Sequence, residues 1–320
     1  MDAAWLSVFP ETIRSLLLRL PEQLLKELEE VRIREERPLE INAGGRFYFL
    51  KADGGLTVNA REAVRTGREE SHRLLDLITN HSVYTMEEEL RKGFITLPGG
   101  HRMGLSGRTV LSKGRVEHIR DISGFNLRIA REVKGAADSV LPHLLDIRGK
   151  SVLHTLIVSP PQQGKTTLLR DLARAISSGS FGPAREKWPG LKVAIIDERS
   201  EIAGSRKGVP SFDVGPRTDV MDGCPKAEGI MMMIRSMSPD VIMVDEIGRP
   251  EDAVALVEAL HAGVRVIATA HGKGIGSGAA LSPLLAEMAG GKLFQRFVSL
   301  SRGEHGFRFR VFDGEQKPLL

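Results

Sequence analysis

Hydrophobic and polar positions change their period along this chain, and each change marks a different kind of element. Residues 10–30 (PETIRSLLLRLPEQLLKELEE) carry apolar side chains at helical spacing, interrupted by Pro21. The acidic second half of that run points to helices packed on the protein's own core rather than laid on a membrane. Short extended runs follow at Val31 to Arg34, Leu39 to Asn42 and Phe47 to Leu50, separated by Arg37-Pro38 and Gly44-Gly45 turn signals. Helical spacing returns from Arg61 to Thr79 and again from about Met86 to Lys92. From Gly93 to Ile129 the pattern is that of strands with Gly-rich turns, GFITLPGGHRMGLSGRTVL and then VEHIRDISGFNLRIA. The first half therefore reads as α+β.

From Ser151 onward, apolar runs without polar alternation exchange with helical segments. His154 to Val158, Lys192 to Asp197, Val241 to Asp245 and Val264 to Thr269 read as strands, and Lys165 to Ser177 and Glu251 to Ala262 as helices. Such strands belong to a parallel sheet covered on both faces. The expected organisation is a smaller α+β N-terminal domain over residues 1–135, a linker over 136–150 and an α/β domain over 151–320. A chain of 320 residues, 41% of them hydrophobic, is long enough to bury two such cores.

The second half also carries chemistry. LIVSPPQQGKTTLLRDLA places a strand, a loop and a helix in the order that a phosphate-binding loop requires. Backbone N–H groups at a helix N-terminus can wrap a phosphate, helped by the helix dipole. On this reading the loop Ser159, Pro160, Pro161, Gln162, Gln163 and Gly164 cradles ATP, Lys165 pairs with the β- and γ-phosphates, and Thr167 meets the α-phosphate. Thr166 ligates Mg²⁺. The usual pattern begins with Gly where Ser159 stands here, and two prolines stiffen the loop. Eighty residues after Lys165, the apolar run DVIMVDE ends in two carboxylates. Asp245 is placed to hold Mg²⁺ through water and Glu246 to polarise the attacking water. The strand ending in Thr269, Ala270 and His271 can deliver γ-phosphate sensors, and IIDERSEI adds Asp197, Glu198 and Glu201 as further acidic candidates.

Charge and cysteine content narrow the function class. Forty-five Lys and Arg against 41 Asp and Glu give a net +4, too small an imbalance to name nucleic acid as the main partner. Between Arg91 and Lys134, however, ten basic residues face three acidic ones. Either that stretch is a solvated basic face or it is presented to phosphates; Arg102, Arg108, Arg120 and Arg128 are its candidate phosphate contacts, with Arg120 and Arg128 first. The single cysteine, Cys224, excludes an internal disulfide framework. No run approaches the roughly 18 apolar residues of a membrane span, and no basic region precedes an apolar one at the N-terminus, so a cytoplasmic protein is expected.

RSMSPDVIMVDEIGRPEDAVALVEALHAGVRVIATAHG resembles the region of secretion-type traffic ATPases around their second nucleotide-binding strand and T-x-H segment. Together with GFITLPGGHRMGL, ISGFNLRIAREVKGAA and GPRTDVMDGCPK, it is similar to the stage III sporulation protein AA family of endospore-forming bacteria. Asp245 departs from the broader secretion pattern, in which Gly usually precedes the glutamate. The resemblance implies a RecA-like P-loop ATPase domain behind a smaller N-terminal domain. It also implies a hexameric homo-oligomer beneath a membrane-embedded secretion channel, on the mother-cell side of the membrane facing the forespore. By the same matching, Glu201 falls on the acidic box and His271 on the histidine box. Two other readings remain: a RecA-like protein handling nucleic acid, for which only Phe94 and Phe125 offer stacking surfaces in the basic stretch, and an ATP-binding scaffold with negligible turnover. No stable nucleic-acid partner is expected.

Overall fold

The computed structural model describes residues 4–79, 87–112, 114–130, 132–161, 163–181, 188–205, 207–272, 274–275, 293–303 and 306–319. The chain divides into two compact units, Met1–Arg131 and Glu132–Leu320.

The first unit is α+β. Helices α1 (Glu11–Leu18), α2 (Glu22–Glu27), α3 (Arg68–Ile78) and α4 (Glu87–Lys92) accompany an antiparallel sheet. Its strands are β1 (Leu28–Arg34), β2 (Glu40–Ala43), β3 (Arg46–Leu50), β4 (Leu56–Thr57), β5 (Phe94–Thr96), β6 (Arg102–Ser112) and β7 (Arg115–Arg128), in the order β4-β3-β2-β1-β7-β6-β5. Alternation along the strands sorts the two faces. Val31, Ile33, Ile41, Met103, Phe125 and Leu127 are buried in one core with Phe9, Ile13 and Leu17. Their neighbours Glu30, Arg32 and Arg34 are not.

Two boundaries differ from the pattern along the chain. Leu28–Glu30 join β1 instead of prolonging the second helix. Helix α3 starts at Arg68 rather than Arg61, because Glu35 and Pro38 bridge to Thr66 and Arg65, and the Glu70 carboxylate accepts the Gly67 N–H at 3.0 Å. Residues 80–86, which include the expected helix start at Met86, lie outside the described residues.

In the second unit, the short strands β8 (Leu145–Asp146) and β9 (Ser151–Val152) pair with each other. They precede a seven-stranded sheet of β10 (Thr155–Ser159), β11 (Val193–Asp197), β12 (Thr218–Asp222), β13 (Val241–Val244), β14 (Arg265–His271), β15 (Arg296–Gly303) and β16 (Gly306–Asp313). The order is β12-β11-β13-β14-β10-β15-β16, parallel up to β15 and antiparallel between β15 and β16. Helices α5 (Lys165–Ser178), α6 (Lys226–Met237) and α7 (Pro250–His261) cover it. Every residue of β10, β11 and β13 is buried, with alternate residues feeding two cores. Ile157, Ile195, Met243 and Ile267 face α5, whereas Val158, Ile196, Val244 and Ala268 face Ile230 of α6 and Leu256 of α7.

The segment 136–150, read from the chain as a connection, supplies Ala137, Val140, Leu141 and Leu144 to the α5-side core. The buried Asp171 carboxylate of α5 accepts the Ala137 N–H at 2.8 Å and pairs with Arg174. The antiparallel strand β16 closes one edge of the otherwise parallel sheet. Arg308 and Arg310 alternate with its apolar positions, the pattern of a strand with one face towards solvent.

His154, just before β10, accepts the Val266 N–H on Nδ1 at 3.2 Å, with Arg265 beside it. Burial, and then the Arg265 guanidinium, push its pKa down to about 4. A histidine kept neutral in the fold is protonated more readily in the unfolded chain. Its contribution is therefore fully present above about pH 6.5 and is lost as pH falls from there towards 4. Thermal midpoints measured between pH 7.5 and 4.5 are expected to fall more steeply for the natural chain than for His154→Gln. Parallel curves would remove His154 as the cause.

Candidate functional site

Among the described residues, every candidate of the second unit lies at the carboxyl ends of the parallel strands, where an open α/β sheet leaves its binding crevice. Strand β10 delivers Ser159, which is fully buried, and the chain then turns through Pro160 and the exposed Pro161 into α5. Gln162 lies outside the described residues. Gly164 adopts φ 93° and ψ 18° immediately before the helix, a left-handed conformation that favours glycine. Thr166 and Thr167 are half-buried in the first turn of α5, where free N–H groups and the helix dipole favour an anion.

Lys165 is almost fully buried. Its Nζ donates to Ser159 O and Pro160 O, both at 3.0 Å, and lies 3.2 Å from His271 Nδ1. Desolvation pulls its pKa down, while Glu246 and then Asp245 act in the opposite direction. Because the Lys165 ammonium donates to Nδ1, the proton of His271 sits on Nε2. That nitrogen lies 2.9 Å from Glu246 Oε1. The second carboxylate oxygen of Glu246 accepts from Arg199 Nη1 at 2.8 Å. A continuous chain of contacts, Lys165–His271–Glu246–Arg199, thus crosses the ends of β10, β14, β13 and β11.

Glu246 has φ 44°, an uncommon left-handed conformation for a residue with a side chain, costing about 1–3 kcal/mol. The adjoining strand holds it there. Its N–H donates to Thr269 Oγ1 at 2.9 Å, and the Ile247 N–H donates to Thr269 O at 2.8 Å. Thr269, expected as a γ-phosphate sensor, is fully buried and anchors this turn. Beyond it, Asp252 closes the N-terminus of α7, accepting from the N–H groups of Gly248 and Arg249 at 3.1 and 3.0 Å.

Asp245 is buried, and its Oδ1 has no hydrogen-bond partner among the described residues. Burial, then the nearby carboxylates of Asp197, Glu201 and Glu246, raise its pKa to about 7 against the opposing Lys226. A buried, orphaned carboxylate oxygen among other acids fits a bound cation or its water. Among the described residues, no group of three or more His, Cys, Asp or Glu is arranged to hold a metal ion. A cation here therefore draws on further ligands, and phosphate oxygens would supply them. Asp197 is buried too, and its carboxylate accepts the N–H groups of Glu201, Ile202 and Ala203, each at 2.9 Å. It thereby shapes the loop 198–203, which carries Arg199 and Glu201. Burial raises Asp197 to about 6 in spite of those bonds. Glu198 turns to Lys226.

The arginines of α5 are committed internally. Arg170 donates to Glu201 O at 2.8 Å and stacks on Phe212 at 3.7 Å, while Arg174 pairs with Asp171. In the first unit, Arg108 and Arg120 sit opposite each other where β6 and β7 run out beyond β1 and β5. Arg120 lies 3.7 Å from Asp121, and Arg128 lies 3.4 Å from Glu30, both largely exposed. The Arg102 guanidinium lies over Phe94 at 3.5 Å, and Phe125 is buried in the core. Sequence reasoning passed over Arg199, whose acid-rich neighbourhood makes it look like an ordinary surface charge. Its signal is the sheet order, which sets the end of β11 beside the end of β13.

A family profile described as "Sporulation stage III, protein AA" matches residues 4–315. The curated protein "Stage III sporulation protein AA" of Bacillus subtilis (strain 168) is 48% identical over 297 residues, 93% of this chain and 90% of that protein. Among solved structures, the Legionella pneumophila ATPase DotB superposes with a TM-score of 0.55 at 16% identity, over 90% of this chain and 77% of that one. The pilus retraction motor PilT, solved with bound ADP, gives 0.54 at 14% identity, over 91% and 80%. At those identities the likeness establishes the fold: a P-loop α/β domain behind a smaller α+β domain.

Proposed function

The chain belongs to the stage III sporulation protein AA family, and from that premise we propose that it is an Mg²⁺-dependent ATPase whose turnover drives assembly of, or transport through, a membrane secretion channel during endospore formation. The observation that carries the ATPase reading is the link through His271, which joins a phosphate-loop lysine to a carboxylate at the end of the neighbouring acidic strand. Both groups that ATP hydrolysis needs, a cation for the γ-phosphate and a base for water, are held by one imidazole.

ATP would seat its phosphates on the N–H groups that open α5, with Lys165 exchanging its loop carbonyls for β- and γ-phosphate oxygens and Thr167 beside the α-phosphate. Thr166 and Asp245 would hold Mg²⁺, which when bound supplies charge neutralisation between the β- and γ-phosphates. Glu246 accepts a proton from water as the water oxygen bonds to the γ-phosphorus; the bond to the bridging oxygen breaks and ADP departs with the electron pair. His271 reports on Lys165, because drawing the ammonium towards phosphate withdraws the donor from Nδ1. Glu201, close enough to Asp245 to act on its charge, belongs to the acidic rim. Arg120 and Arg128 would complete the site from a neighbouring copy in a hexameric ring. The setting is the cytoplasm, at the mother-cell side of the membrane; no helix among the described residues is long and apolar enough to cross one.

A nucleic-acid reading fares less well, since one of its two stacking candidates lies in the core and the other is covered by Arg102. A scaffold with negligible turnover leaves the paired Glu246 and His271 without a task.

Two outcomes test the binding half. Lys165→Ala is expected to weaken a fluorescent ATP analogue at least tenfold in equilibrium titrations; unchanged affinity would remove the loop from the site. Calorimetry with Mg²⁺ alone is expected to show no tight binding, and Asp245→Asn to raise the Mg²⁺ needed for half-maximal nucleotide affinity. Tight Mg²⁺ binding without nucleotide would contradict the shared ligand set.

A further inference from the structure

Arg199 reaches across from the loop after β11 to the carboxylate that follows β13, and nothing in the phosphate loop or the acidic strand end accounts for it. The sheet order β11-β13-β14 supplies Glu246 with a donor on either side. Arg199 Nη1 fixes Oε2 at 2.8 Å, and His271 Nε2 fixes Oε1 at 2.9 Å. Each oxygen is therefore set by a different neighbouring strand. The residue so held has three rotatable side-chain bonds and a left-handed backbone at φ 44°. Anchored by His271 alone, its carboxylate could still swing about the Oε1 contact, and a base must sit within about half an ångström of its working position.

The loop that presents Arg199 is itself restrained. The Asp197 carboxylate holds three consecutive N–H groups beyond it, and Ser200, at φ 55°, donates to Asp222 Oδ1 at 2.6 Å. Its neighbour Glu198 pairs with Lys226, although the Arg199 charge also acts on it, and the short contact of Arg199 is the one to Glu246. Arg170, by contrast, lies buried against the carbonyls of Glu201 and Ile202 and braces the same loop from beneath.

We infer that Arg199 is a positioning residue for Glu246, fixing the direction in which its carboxylate meets the attacking water. The inference rests on the hydrolysis proposed above. An exposed ion pair that only decorates the surface would leave both turnover and local motion unchanged on removal.

The test uses the full chain and two variants, Arg199→Ala and Arg199→Lys, with two measurements. In steady-state ATPase assays, Arg199→Ala is expected to lower kcat about tenfold with KM for ATP within twofold of wild type. Arg199→Lys should recover part of that loss, since an ammonium restores the charge but not the planar fork. Hydrogen exchange of the nucleotide-free protein, followed at the amides of residues 246–248, should quicken at least threefold in the alanine variant and less in the lysine variant. A wild-type kcat in Arg199→Ala overturns the inference, as does a loss confined to KM. If the wild-type protein itself hydrolyses no ATP, the hydrolysis reading fails and exchange decides alone. Faster exchange in Arg199→Ala would then uphold the positioning contact, and unchanged exchange would sink it.

Discussion

Glu246→Gln is expected to keep ATP affinity within about threefold of the natural chain and to lose about 10²- to 10⁴-fold in turnover, the range for a positioned general base. The substitution nearly preserves shape, and the amide oxygen can still accept from His271 or Arg199 in place of a carboxylate oxygen. The backbone turn at residue 246 rests on Thr269 and is untouched. What disappears is the capacity to take a proton from water. Radiolabelled ATP retention and phosphate release, measured on the same preparation, separate the two effects. Normal phosphate release would mean that the base lies elsewhere, and Glu201 would be the next carboxylate to replace.

Arginine substitution in the first unit should have an effect as large. Charge that develops on the γ-phosphoryl oxygens needs more than Lys165, and an arginine supplied from a neighbouring copy contributes about 10³- to 10⁵-fold in other nucleotide hydrolases. The second unit has little to offer from α5, because Arg170 and Arg174 are both tied to internal partners. Arg120 and Arg128 are largely exposed, and among the described residues each is paired with a single acid, at 3.7 and 3.4 Å. Exposed pairs of that kind are worth about 0–1 kcal/mol and give way readily to a phosphate. Alanine at Arg102, Arg108, Arg120 and Arg128 in turn is expected to lower turnover per subunit at least tenfold for Arg120 or Arg128, and the natural chain should lose specific activity on dilution. Four unaffected variants together with a flat dilution series would rule out a site shared between copies.

Local structure at the candidate site was legible along the chain wherever it rests on neighbouring residues. Gly-Lys-Thr after an apolar run marks a helix N-terminus, and DVIMVDE marks a strand that ends in acids, since strand, loop and helix are written in order. The α/β alternation and its parallel sheet were equally plain, because strands buried on both faces lack polar alternation. Order across the sheet is another matter. Nothing in residues 192–271 states that β13 lies between β11 and β14, so neither the contact of Arg199 with Glu246 nor the anchoring role of Thr269 could be read from spacing. The second arm of the β15–β16 hairpin shows the period-2 alternation of a strand, but nothing local assigns it to the edge of the parallel sheet. The stretch 136–150 reads as a connection with a short helix, and its apolar residues at 137, 140, 141 and 144 stand at helical spacing; which core they join is set by residues distant in the chain.

The interior strand β10 has its two neighbours far downstream: Thr155 pairs with Ile267 on one side and Arg296 on the other. Both lie over a hundred residues later in the chain. During synthesis at about 5–20 residues per second, the phosphate loop therefore exists for on the order of ten seconds before its strand can be flanked on both sides. Over that interval its unpaired edges are open to misassociation, and the high sequence separation of the pairing makes the final closure intrinsically slow. A nascent chain halted before residue 296 would carry the whole candidate phosphate loop and still lack a finished sheet behind it.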